Sequence, residues 1–177
     1  MGTVKFFLFI ILTFPLAGLA QDPEQQRPSP LAIASMRYKD AYVKITYSRP
    51  QKLGREIFGK LVPYGQVWRT GANEATEITV TKNVQLNGSL LKAGTYTIFS
   101  IPDKEKWTII VNTEVGLWGS YNYNSKLDEM RFDVPVQRVA GESFEKLTIQ
   151  FDQRNELADL NIMWDHVKVS IPFKFIN

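Results

Sequence analysis

The stretch that decides the fold is Val84 to Asn112, VQLNGSLLKAGTYTIFSIPDKEKWTIIVN. Val84 to Leu86 runs into Asn87-Gly88, the dipeptide that best fits a two-residue hairpin because both positions tolerate positive φ. Leu90 and Leu91 follow, and Lys92-Ala93-Gly94 reads as a second turn. Thr95 to Ile101 is β-branched and aromatic, as strands prefer. It stops at Pro102-Asp103-Lys104-Glu105, where Pro presets φ and Asp can bond the nearby backbone. Lys106 to Asn112 is the return strand, and its unbroken apolar centre implies burial on both faces.

Working outward, the period-two pattern recurs. Ala41, Val43, Ile45 and Tyr47 alternate with Tyr42, Lys44, Thr46 and Ser48, and Glu77 to Lys82 alternates Ile78 and Val80 with polar positions. Arg131 to Val139, Phe144 to Phe151, Leu157 to Trp164 and Val167 to Phe175 complete the set. Helical signals are weak, with a turn or two expected at Arg55 to Leu61, between Gly54 and Pro63. About eight or nine short strands predict an all-β, single-domain antiparallel sandwich, with a closed soluble barrel as the alternative. An outer-membrane barrel fits less well, because several strands carry Lys or Glu among few apolar positions.

The chain has 177 residues and a formal charge of +3. Lys5, the apolar run Phe6 to Leu16 and the small residues Gly18 and Ala20 read as an export signal over residues 1–20, cleaved after Ala20. Removing it takes one lysine and no acid, which leaves a charge too small to argue for nucleic acid or an anionic membrane surface. No later stretch is long and apolar enough for a membrane helix, so no membrane insertion is expected after cleavage. Residues 21–30 (QDPEQQRPSP) are polar and proline-rich, an extended leader, so the domain is expected over 31–177. The chain is therefore expected to be exported, periplasmic or secreted. With no cysteine and a single histidine, His166, it offers no disulfide, no thiolate chemistry and no multi-histidine zinc site. No motif calls for a cofactor or a metal.

Arg49 to Thr76, RPQKLGREIFGKLVPYGQVWRTGANEAT, is too long for an ordinary connection and is the place to expect a site. Arg49, Arg55 and Arg69 could converge with Asn73 and Glu74 beside Tyr64 and Trp68. Arginine forks suit carboxylate or phosphate, and aromatic faces suit sugar rings. A second loop, Gly116 to Asn124, offers Trp118 and Tyr121 as a further wall, with Tyr123, if the two loops meet. The partner would then be a small anionic or carbohydrate ligand, or else a protein of the cell envelope. In the structural reading Arg69 and Glu74 pair with each other, Gly65 and Gly71 serve turns, and the loop satisfies only itself. A hydrolase would use Glu74 as base with the arginines, and Asp128 is available as a second carboxylate. A purely structural envelope component is the third reading. His166 falls in a hairpin turn, and Trp107, Trp118 and Trp164 read as core or strand-edge residues.

The WRTGANEAT string, with LKAGTYTIFSIP and WTIIVN after it, resembles the bacterial family catalogued as domain of unknown function 2911. The likeness is close over about residues 28–135, and Ile162 to Asp165 and Val169 to Pro172 follow its general plan. The resemblance implies an exported protein common in Bacteroidetes-like bacteria. It brings no catalytic residues to this chain.

Overall fold

A computed structural model describes residues 1–2, 27–141 and 143–176. The expected export signal and most of the leader lie outside the described residues. Among the described residues eleven strands form: β1 (Leu31–Tyr38), β2 (Ala41–Ser48), β3 (Thr76–Val80), β4 (Val84–Leu86), β5 (Ser89–Leu91), β6 (Gly94–Pro102), β7 (Lys106–Asn112), β8 (Asp128–Arg138), β9 (Phe144–Arg154), β10 (Leu157–Asp165) and β11 (Val167–Phe175). One short 3-10 turn, Ser125–Leu127, precedes β8.

All pairings between strands are antiparallel, and the sheet order is β1-β2-β3-β6-β7-β8-β11-β10-β9, with the β4–β5 hairpin attached beside β11. The all-β antiparallel expectation holds, and nine strands make up the main path. Of the two architectures, the nearly closed barrel fits: the sheet is continuous, and its ends, β1 and β9, come back side by side. β8 makes the corner. Its first part pairs with β7 and its last three residues pair with β11.

The hairpin at Asn87-Gly88 has φ of 49° and 80°, the two positive values that match the twist of the flanking strands. At the β6–β7 turn the Asp103 carboxylate accepts from the Lys104 N–H, and Asp103 N–H donates to the Lys106 carbonyl. β1 was not legible as a strand, because its inward face is weakly apolar: the small Ala32 and Ala34, the flexible Met36 and the partly buried Tyr38.

The main core fills the barrel with alternate residues of every long strand, among them Val43, Ile45, Ile78, Ile98, Trp107, Ile109, Leu160 and Ile171. The expectation for β7 is met in a specific way. Ile109 and Val111 face this core, while Ile110 and Phe99 of β6 face outward into a second cluster with Ala75. Val67, Ile101, Leu117 and Tyr123 cover that cluster. The long loops therefore lie over the outer face of β6 and β7, which makes both faces of these strands apolar.

The 49–75 segment also closes one end of the barrel. Ile57, Phe58, Val62 and Trp68 join the main core. Phe58 stands 5.0 Å from Trp107, 6.1 Å from Trp68 and 6.3 Å from Trp164 between ring centres. Trp68 stacks on Trp164 at 6.0 Å and 16°. Arg55 to Leu61 forms no helix. Val62 N–H donates to the Ile57 carbonyl and Gly59 N–H to the Val62 carbonyl, so the chain folds back in tight turns that drive Ile57 and Phe58 inward.

Candidate functional site

Trp68 is fixed first. It exchanges both backbone hydrogen bonds with Ser100 of β6, at 2.7 and 2.9 Å, and its indole N–H donates to the Gly71 carbonyl at 3.0 Å. The chain then turns sharply, with φ of 53° at Thr70 and 55° at Asn73. A β-branched residue in the left-handed region costs of order 1–2 kcal/mol. The turn is held by a 2.9 Å bond between the Thr70 and Ser100 hydroxyls and by Thr76 Oγ1 donating to the Thr70 carbonyl. Gly65 has φ of 71° and serves a turn as expected. Gly71 does something else: its φ is not positive, and an added Cβ would sit 3.1 Å from the Ser48 carbonyl oxygen and 3.2 Å from Thr76 Oγ1. Glycine is there for close approach to the end of β2.

The two loops meet. Ala75 N–H donates to the Leu117 carbonyl and Gly119 N–H to the Asn73 carbonyl, both at 2.9 Å. Those two bonds flank Glu74 and Trp118, which form an antiparallel bridge. In this arrangement the opposed residues are the non-hydrogen-bonded kind, with side chains on one face and close together. Ser120 Oγ also donates to the Val67 carbonyl, at 3.1 Å.

Beside the bridge lies an open cavity of about 920 Å³, with Arg27, Thr46, Ser48, Glu74 and Glu77 as its polar groups and Leu31, Tyr47, Ala75 and Leu117 among its apolar walls. Glu74 Oε1 accepts from Arg27 at 2.6 Å and Oε2 from Ser48 Oγ at 3.2 Å. Its own backbone N–H, first, and then Arg27 hold the Glu74 carboxyl below its ordinary value. Glu77 Oε1 accepts from Gly116 N–H at 2.7 Å. Both carboxylates keep oxygens available to a ligand hydroxyl.

The nine residues marked in the sequence do not form one site. Glu74 lines the large cavity, and Trp118, which is 60% exposed, stands opposite it across the bridge rather than in the core. Arg55, Trp68 and Arg69 line a second, smaller cleft of about 190 Å³. Arg49 is committed to β9, with Nε donating to the Leu147 carbonyl and Nη2 to Thr148 Oγ1. Tyr64 packs against the core. Asn73 serves the loop, with Nδ2 at 3.4 Å from the Ser29 carbonyl. Tyr121 is 81% exposed, two residues beyond Gly119.

The expected pairing of Arg69 with Glu74 does not form: Arg27 takes the carboxylate instead. Arg27, Ser48 and Glu77 escaped the sequence reading. Arg27 sits in a stretch that reads as leader, and the other two occupy ordinary outward positions of strands. Among the described residues, no group of three His, Asp or Glu side chains could hold a metal ion.

A β-barrel-like domain with a loop-built cleft at one end is the class that this fold and cavity define. The chain belongs to a family described only as protein of unknown function, DUF2911, whose model matches residues 29–173. No curated protein and no solved structure matches it.

Proposed function

We propose that this protein is an exported binding module of the cell envelope that takes a neutral carbohydrate in the cavity beside Glu74. The observation that carries this reading is the bridge that sets an ionised carboxylate next to a broad, exposed indole. Sugar rings present an apolar face that stacks on an aromatic plane and hydroxyls that donate to carboxylates. Glu74, Glu77 and Ser48 supply acceptors, and Arg27 can donate to a ring or hydroxyl oxygen. A cavity of this size suits a ligand of one to a few rings. An anionic ligand is the weaker fit here, because it would meet two carboxylates.

Binding is favoured over hydrolysis. A general base working near neutral pH needs a raised pKa, and Glu74 is pushed the other way. Asp128 is committed elsewhere: it accepts from Asn112, from the Tyr123 hydroxyl and from Arg131.

Calorimetric titration of the protein with neutral mono- and oligosaccharides tests the proposal. Saturable binding is expected, weakened about tenfold or more by Trp118→Ala and by Glu74→Gln. Trp118→Ala should leave the melting temperature unchanged, because the ring is mostly in water. A panel that yields no saturable binding, or binding indifferent to both variants, rejects the site.

A further inference from the structure

We propose that the smaller cleft between Arg55 and Arg69 is a separate binding site that takes the carboxylate of a small organic acid with a short apolar tail. It goes beyond the carbohydrate reading and shares no residue with the cavity around Glu74.

The starting observation is an unanswered charge. Among the described residues the Arg69 guanidinium has no hydrogen-bond or ion-pair partner, and its Nε is buried. A buried donor left unmade costs about 1–3 kcal/mol, and more when it carries charge. Other buried ionisable groups can shed that cost by changing protonation state, but a guanidinium cannot. The backbone that carries Arg69 is fixed, because it runs between Trp68, locked to Ser100, and Thr70, locked by two hydroxyl bonds. The fold holds a cationic donor in place and supplies no acceptor for it.

Arg55 lines the same cleft. It donates through Nε to the Lys52 carbonyl at 3.0 Å and through Nη2 to the Gln51 carbonyl at 2.5 Å. Those neutral carbonyls fix the direction of the side chain and leave its charge uncompensated. Two guanidinium groups with no carboxylate between them form the polar side of an oxyanion site.

The remaining wall selects among oxyanions. Leu61, Val62, Trp68 and Trp164 line it, so a fully hydrated phosphate or sulfate would lose solvation against hydrocarbon there. A carboxylate with an alkyl tail has its head on the arginines and its tail against this wall, where burial is favourable at about 25 cal/mol per Å². The volume of about 190 Å³ equals roughly six water-sized volumes, which fits an acid of roughly three to five carbons.

The experiment is calorimetry on the full chain with sodium acetate, butyrate and hexanoate, and with phosphate and sulfate at matched ionic strength, repeated by tryptophan fluorescence. Butyrate is expected to bind saturably, more tightly than acetate, phosphate or sulfate, and to perturb the emission of the indoles that line the cleft. Arg69→Gln should weaken butyrate about tenfold or more without lowering the melting temperature, since Arg69 has no native partner to lose. Should Arg69→Gln not fold, the exposed Arg55→Gln decides the matter by the same loss. Glu74→Gln should leave butyrate affinity unchanged. The proposal falls if no carboxylate saturates the folded protein, if binding survives both arginine variants, or if phosphate or sulfate binds better than butyrate.

Discussion

Glu74 is where the residue scale carries most weight, because one carboxylate joins a loop, a strand and the segment before the first strand. Its backbone N–H and Arg27 favour the ionised form, so its pKa in the folded protein lies below the ordinary 4.5. A carboxyl with a depressed folded value stabilises the protein fully above its unfolded pKa, and that contribution is lost as pH falls through the folded value. The side chain is 42% exposed, so water screens the pair and the effect is shallow. The stability difference between wild type and Glu74→Gln should therefore be constant near neutrality and shrink as the pH falls below about 4.5. An NMR titration of the Glu74 side chain gives the direct check. Its midpoint should lie below the ordinary glutamate value and move up in Arg27→Ala. A midpoint at or above the ordinary value would mean that Arg27 and the backbone do not hold the carboxylate.

Among the elements, β7 shows how a single strand can serve two cores. Ile109 and Ile110 are both fully buried, yet they face opposite sides of the sheet. Ile110→Ala should cost about 2–4 kcal/mol, and its effect should reach the site, because Ile110 underlies the loops that carry Glu74 and Trp118. Chemical denaturation measures the first part. Amide exchange at Ala75 and Gly119 measures the second, and faster exchange at both is expected. A loss confined to global stability, with these amides still protected, would show that the loops hold their geometry without the outer cluster. The apolar run in KWTIIVN made the double burial legible, and Asn87-Gly88 made the hairpin legible, because both depend on residues adjacent in sequence. The partner that covers the outer face was not legible. Ala75 reaches it from one loop and Leu117 and Tyr123 from the other, and no local pattern ties them to Phe99. The same reason explains the site. The loops and most of the residue types were visible as candidates, but Arg27 and Ser48 come to Glu74 only through the sheet order. The pairing of Arg49 with β9, across roughly a hundred residues, has no local trace either.

At the scale of the whole molecule, the two ends of the sheet must be joined, because an open edge exposes unpaired backbone groups. β1 and β9 meet without a regular ladder, through Gln153 Nε2 donating to the Arg37 carbonyl at 2.9 Å. The stronger joint lies where β2 runs on into the long loop. Leu147 N–H donates to the Pro50 carbonyl at 3.0 Å and Lys52 N–H to the Glu145 carbonyl at 2.7 Å. The Tyr47 hydroxyl accepts from Ile149 N–H, and Lys52 pairs with Asp165. Arg49 sits in the middle of this seam and bonds a β9 carbonyl and a β9 hydroxyl together. Hydrogen bonds from a charged donor contribute about 1.5–3 kcal/mol. Arg49→Ala should thus destabilise the domain by about 2 kcal/mol, a fall of roughly 4–8 °C in melting temperature for a chain of this size. Arg49→Lys keeps the charge but loses the planar fork, so it should recover only part of the loss. The location of the effect separates a seam from a generic loss of packing. The amides of Lys52, Leu147 and Ile149 should exchange faster in Arg49→Ala, while those of Ile98 and Ile109, in the middle of the sheet, should keep their protection. Equal exchange at both places would mean that the barrel opens as one unit and that Arg49 does not act as its clasp.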